Sequence, residues 1–105
     1  MIKIRVKRKE TKITEIEVNG HAYYDDLGKD IVCAGVSAIN FGGLNAVAHF
    51  FQNDLSQFEV KIEEGRTLLK ISNLDEDRVQ TVLETLVIQF KTIEETYSKY
   101  IHVND

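Results

Sequence analysis

Phe58-Glu59-Val60-Lys61-Ile62-Glu63-Glu64-Gly65-Arg66-Thr67-Leu68-Leu69-Lys70-Ile71-Ser72, followed by Val79, Val82, Leu83, Leu86, Phe90, Ile93 and Tyr97, decides the fold through a change of period. Apolar and charged residues alternate through Phe58 to Ile62, the pattern of a strand with one covered face. Glu63-Glu64-Gly65-Arg66 is a hairpin connection into a second strand over Thr67 to Ser72. Beyond it the apolar spacing changes to three and four. That spacing predicts a long amphipathic helix, with Asp75 to Asp77 placing negative charge near its positive dipole end.

The N-terminal half runs in the same order. Ile2, Ile4 and Val6 alternate with Lys3, Arg5 and Lys7, and a turn near Lys9 to Lys12 leads to a second strand ending in Ile16-Glu17-Val18. Ile13 is out of phase with Ile16 and Val18, so this strand carries a bulge or begins late. Asn19 to Asp30 lose periodicity and include Gly20, Asp25, Asp26 and Gly28, which marks a loop. Asp30 suits the N-cap of a helix starting Ile31-Val32-Cys33. The apolar row Val32, Val36, Ile39, Val47 and Phe50 faces the sheet, and Cys33, Ser37 and Asn40 follow a neighbouring edge. Gly42-Gly43 marks a kink, a close helix contact or a break.

The order β-β-α-β-β-α predicts an α+β two-layer sandwich, a four-stranded, mainly antiparallel sheet with two helices on one face. Ile101 and Val103 form either a short tail strand or a partner contact. With no proline, low-complexity run or polar linker to divide it, the chain is expected to be one domain over residues 1–105.

Seventeen acidic residues against 13 basic ones give a net charge of -4, which disfavours nucleic acid and suits a basic peptide or protein partner. Lys7-Arg8-Lys9 lacks an accompanying aromatic platform and is expected to be a solvated strand end, so no direct nucleic-acid binding is expected. One cysteine cannot form an internal disulfide, and Met1-Ile2-Lys3-Ile4-Arg5 alternates where a signal peptide would be apolar, so a cytoplasmic location is expected. No run is read as the roughly 18 to 20 apolar residues of a membrane helix. His49 and His102 have no ligand spacing with Cys33 and His21, and no phosphate-binding glycine loop is present, so neither metal nor cofactor is expected.

Chemistry is left to Cys33, the sole cysteine, and His21, twelve residues before it. A thiol is a poor nucleophile until deprotonated, and both a helix N-terminus and a nearby imidazolium favour the thiolate. A buried cysteine and a structural histidine satisfy the same residues, and spacing alone does not separate the two readings.

Gly20-His21-Ala22, followed by Gly28 and Asp30-Ile31-Val32-Cys33-Ala34-Gly35-Val36-Ser37, resembles the signature of the ribosomal-processing cysteine protease family, Prp. The resemblance in element order extends through nearly the whole chain. It implies that His21 and Cys33 are a catalytic pair, within a cytoplasmic, homodimeric endopeptidase. The implied reaction removes the N-terminal extension of a large-subunit ribosomal protein, after a recognised stretch ending in phenylalanine. Cys33 would attack the scissile carbonyl, His21 would carry the proton, and amides near the helix start, that of Cys33 among them, would hold the oxyanion.

Supporting roles are open on both sides. Ser37 either orients a site group or substrate or is a plain helix hydroxyl. Asp30 either orients His21 or caps the helix. Gly20 and Gly28 permit turns of the loop, with Gly28 also a candidate hinge. Ala22 belongs to the signature, Tyr23 and Tyr24 line either a peptide groove or a surface, and Gly35 admits a close neighbour. The alternative of a different class is a non-catalytic ribosome-assembly factor that binds a basic protein tail without cutting it.

Overall fold

The computed structural model describes residues 1–20 and 27–105, with residues 27–30 as helical backbone only. Strands β1 (Ile2–Lys9) and β2 (Lys12–Asn19) precede helix α1 (Leu27–Phe50). Strands β3 (Phe58–Glu63) and β4 (Arg66–Ile71) precede helix α2 (Asp77–Tyr97), and β5 (Ile101–Asn104) ends the chain. Both hairpins and the α+β two-layer arrangement agree with the sequence pattern. Asn53 to Gln57, expected as a turn, holds a short 3-10 segment whose Asp54 side chain accepts from the Ser56 amide at 3.0 Å.

The sheet has five strands where four were expected, in the order β3-β4-β2-β1-β5. The addition makes it mixed: β5 runs parallel to β1, pairing Ile101 with Ile2 and Val103 with Ile4. Of the two readings of Ile101 and Val103, the tail strand holds: α2 returns the chain to β1, where both side chains are buried. Glu94 on α2 accepts the Val103 amide at 2.7 Å and so ties helix to strand.

Alternation sorts each strand into two faces. Ile2, Ile4, Val6, Ile16, Val18, Leu69 and Ile71 enter one hydrophobic cluster with Val32, Val36 and Val47 of α1 and Val79, Leu83, Val87 and Phe90 of α2. Each fully buried side chain of this size contributes about 1.5–3 kcal/mol relative to an exposed one. The opposite face is charged: Arg5 meets Glu17 at 3.4 Å and Lys7 meets Glu15 at 3.6 Å across the β1–β2 pair.

The phase break at Ile13 is a bulge. Lys7 pairs with Glu15 while Arg8 pairs with Ile13, leaving Thr14 as the extra residue. Its hydroxyl donates to the Lys7 carbonyl at 3.2 Å. The bulge turns Ile13 fully into the core, where its backbone needs a partner. Gln80 supplies both halves: its Oε1 accepts the Ile13 amide at 2.8 Å and its Nε2 donates to the Ile13 carbonyl at 2.9 Å. Gln80→Ala leaves a buried donor and a buried acceptor unmet, and is expected to cost about 2–4 kcal/mol in urea unfolding.

Helix α1 starts at Leu27, so Asp30 lies in its first turn and is not the N-cap, and Gly28 is helical, not part of a loop turn. α1 runs unbroken through Gly42-Gly43. A Cβ at Gly43 would overlap the Leu86 side chain, whereas one at Gly42 would meet nothing within 4 Å. Close helix contact is therefore the role of Gly43. Contrary to the sequence reading, Ile31–Phe50 is long and apolar enough, by length and composition, to span a membrane. Its apolar residues have another use here: Val32, Val36, Leu44 and Val47 are packed in the core.

Arg8 gathers the last residue of the chain. Its Nε donates to Asp105 Oδ1 at 2.8 Å, it also pairs with Glu84, and Lys91 lies 3.0 Å from Asp105 Oδ2. Hydrogen bonding from Arg8, more than that from Lys91, holds the Asp105 carboxyl down to about 2, below its ordinary 3.8. A lowered folded-state value gives stability that is complete above the ordinary value and is lost as pH falls through about 2. Asp105→Asn is expected to cost about 1 kcal/mol at pH 6, and the difference from the native chain to shrink as pH falls toward about 2 and to vanish below it.

Candidate active site

Cys33, Ser37 and Asn40 fall at i, i+4 and i+7 on α1, which puts them on one edge of the helix. All three line a pocket of about 280 Å³. Cys33 is half-buried and Ser37 exposed. Asn40 is buried, and its Nδ2 donates to Thr67 Oγ1 of β4 at 2.8 Å, also at the pocket. This bond fixes the helix edge against the sheet.

The opposite wall is the β3–β4 hairpin, which presents Ile62, Glu63, Gly65 and Arg66, and the β1–β2 side adds Ile2, Val18 and Gly20. Gly65 has φ +74° and Gly20 φ +107°, both in the region that favours glycine. The Gly20 amide donates to the Gly65 carbonyl at 2.8 Å, so the end of β2 is joined to the hairpin turn. The Arg66 guanidinium is already satisfied: its Nε donates to Glu17 Oε2 at 2.7 Å, and Glu63 lies 3.6 Å away. Two large apolar side chains stand at the pocket in water, Ile62 at 63% exposure and Phe41 at 44%. The site therefore combines a thiol, an apolar lip and a paired cation.

Of the residues singled out in the sequence, Gly20, Cys33 and Ser37 are brought together. His21, Ala22, Tyr23 and Tyr24 lie outside the described residues. Gly28 and Asp30 belong to the first turn of α1 by backbone. Gly35 is turned away: a Cβ there would lie 3.5 Å from Ile93 Cδ1 of α2, ordinary packing distance.

One expectation about the chemistry is corrected. With α1 starting at Leu27, Cys33 is in the second turn, and its amide is directed along the helix to the carbonyl four residues earlier. It is not a free oxyanion donor. Sequence reading also passed over Phe41, Ile62, Arg66 and Thr67. Asn40 had a signal, its shared edge with Cys33 and Ser37, and Phe41 follows it on the same helix, but Ile62, Arg66 and Thr67 join the pocket only because the hairpin folds back on α1.

A family model described as cysteine protease Prp matches residues 1–102. The ribosomal processing cysteine protease Prp of Staphylococcus aureus is 33% identical over 95 residues, covering 90% of this chain and 89% of that protein. Two crystal structures of the essential ribosomal processing protease Prp from S. aureus are also similar. One, with a covalently linked product peptide, has a TM-score of 0.82 at 31% identity and covers 99% of this chain and 98% of that one. The other, with a substrate peptide, has a TM-score of 0.83 at 30% identity with the same coverage.

Proposed function

The chain belongs to the Prp family of ribosomal-processing cysteine proteases, and we propose that it is an endopeptidase that removes the N-terminal extension of a large-subunit ribosomal protein precursor in the cytoplasm. The observation that carries this reading is the half-buried Cys33 thiol in a pocket walled by α1 and the β3–β4 hairpin. A product peptide covalently linked to the S. aureus protease supports it. Phe41 and Ile62 at the pocket suit a phenylalanine at the end of the recognised stretch.

His21 is the general base of this reading, supported by its place in the family signature and by Gly20, the residue before it, at the pocket wall. The Cys33 Sγ bonds to the scissile carbonyl carbon as its proton passes to His21. Collapse of the tetrahedral adduct breaks the C–N bond, and His21 returns the proton to the departing amine. Water, deprotonated by His21, then attacks the thioester and releases the acid and the free thiol. The Ser37 hydroxyl, one helical turn from Cys33, is a donor for the substrate carbonyl. The enzyme acts as a homodimer, which sedimentation velocity checks directly.

The deciding experiment incubates the protein with the precursor ribosomal protein and follows intact mass, with Cys33→Ala in parallel. A discrete N-terminal loss only in the presence of Cys33 is the expected result. Stable binding without any loss of mass would instead establish a non-catalytic assembly factor.

A further inference from the structure

β3 ends one side of the sheet: β4 pairs with one of its edges, and no described strand pairs with the other. Two backbone hydrogen bonds determine which groups face outward. The Gly20 amide donates to the Gly65 carbonyl at 2.8 Å, and the Ser72 amide to the Gln57 carbonyl at 2.9 Å. In an antiparallel ladder a residue turns its N–H and C=O to the same side, and successive residues alternate. Gly65 faces β2, so Arg66, Leu68, Lys70 and Ser72 face β3, as the Ser72 bond shows. Their register partners Glu63, Lys61 and Glu59 face back. The N–H and C=O of Val60 and Ile62 therefore point out of the sheet.

This free edge leads to the thiol, because Ile62 and Glu63 stand in the pocket that Cys33 lines. Ile62 is the register partner of Thr67 and shares the helix side of the sheet with it, while Glu59, Lys61 and Glu63 occupy the other side. From Glu59 to Glu64 the strand and turn carry three carboxylates against the single ammonium of Lys61. Glu59 lies 4.0 Å from Lys61, and Glu63 lies 3.6 Å from Arg66, which Glu17 also holds, so four carboxylates, Glu17, Glu59, Glu63 and Glu64, stand against two cations. The edge is thus an acidic one, complementary to an extended basic peptide.

We propose that the substrate peptide binds as an added strand on the free edge of β3, hydrogen-bonded to Val60 and Ile62, with basic side chains on the Glu59 and Glu63 side and apolar ones toward Ile62 and Phe41. Main-chain bonding supplies affinity that tolerates sequence change, and the alternating sides supply selectivity. The inference rests on the endopeptidase reading and names how that site takes its substrate.

The probe is a synthetic peptide of the precursor's N-terminal extension, with each amide N-methylated in turn. KM is measured with the native protein and Kd with Cys33→Ala. Methylation at every second position across the bound stretch is expected to raise both constants about tenfold, roughly one hydrogen bond each, with the intervening positions nearly unchanged. Val60→Pro removes one outward N–H without entering the β4 ladder, a place where edge strands accept proline. It is expected to weaken the unmodified peptide about tenfold; because the Val60 side chain also packs against the core, Val60→Thr, which keeps the N–H and changes only that packing, is the control and is expected to leave peptide affinity unchanged.

Cleavage with methylation effects that lack a period of two overturns the added strand and leaves the endopeptidase intact. A period of two in Kd with no cleavage sustains the added strand and overturns the endopeptidase. A dimer that Val60→Pro dissociates, with peptide Kd unchanged, also overturns the proposal, because a second copy then occupies the edge. The methylation scan stands even if the proline variant does not fold.

Discussion

Cys33→Ala is expected to lower precursor cleavage by on the order of 10⁴-fold or more, because Cys33 is the chain's sole thiol and the nucleophile of the proposed mechanism. Peptide affinity should survive. The substitution removes one half-buried sulfur, whereas the pocket walls come from Val36, Asn40, Ile62 and Thr67, which it leaves in place. Anisotropy titration of Cys33→Ala beside single-turnover cleavage by the native protein separates the two effects. His21→Ala is expected to lose roughly 10²–10⁴-fold, the range of a positioned general base. Added imidazole should restore part of that loss, and a fully active His21→Ala protein would remove His21 from the mechanism.

Gly20→Ala is the second large effect, expected to cost about 2–4 kcal/mol of stability. Two independent features produce it. The residue has φ +107°, which L side chains rarely adopt, and an added Cβ would lie 2.6 Å from the Met1 carbonyl oxygen. That oxygen is backbone, and β1 holds it through the pairing of Lys3 with Asn19. Relief requires the end of β2 to move, which stretches the Gly20-to-Gly65 bond at the pocket wall. Activity should therefore fall together with thermal stability. Gly42→Ala is the control, since nothing lies within 4 Å of its added Cβ. In a helix interior it is expected to stabilise by about 0.5–1 kcal/mol. Equal melting temperatures for the two variants would show that Gly20 is not conformationally required.

Ser37 and Asn40 were placed beside Cys33 by helical spacing alone, and one residue out of phase, Ile13, marked either a bulge or a late strand start. The charged and apolar faces of β1 were likewise visible in Ile2-Lys3-Ile4-Arg5-Val6. These features are local: side-chain direction repeats every two residues in a strand and every 3.6 in a helix, so neighbours in sequence report it. Gln80 escaped notice because a glutamine on an apolar helix stripe has no meaning until its partner, the Ile13 backbone, arrives from 67 residues away. β5 was visible only as Ile101 and Val103, readable as a tail strand or a partner contact, and its parallel place beside β1 follows from where α2 delivers the chain. α1 starts at Leu27 and not at Ile31 behind an Asp30 cap, since several residues can begin a helix and packing chooses among them. By itself the sequence determined the order of the first four strands and both helices, the faces of those elements and the thiol-bearing helix edge, which local stereochemistry dictates. Only the tertiary structure decided that the β3–β4 hairpin, with Ile62 and Arg66, would close over that edge and make a pocket, because contacts between segments so far apart depend on how the whole sheet is ordered.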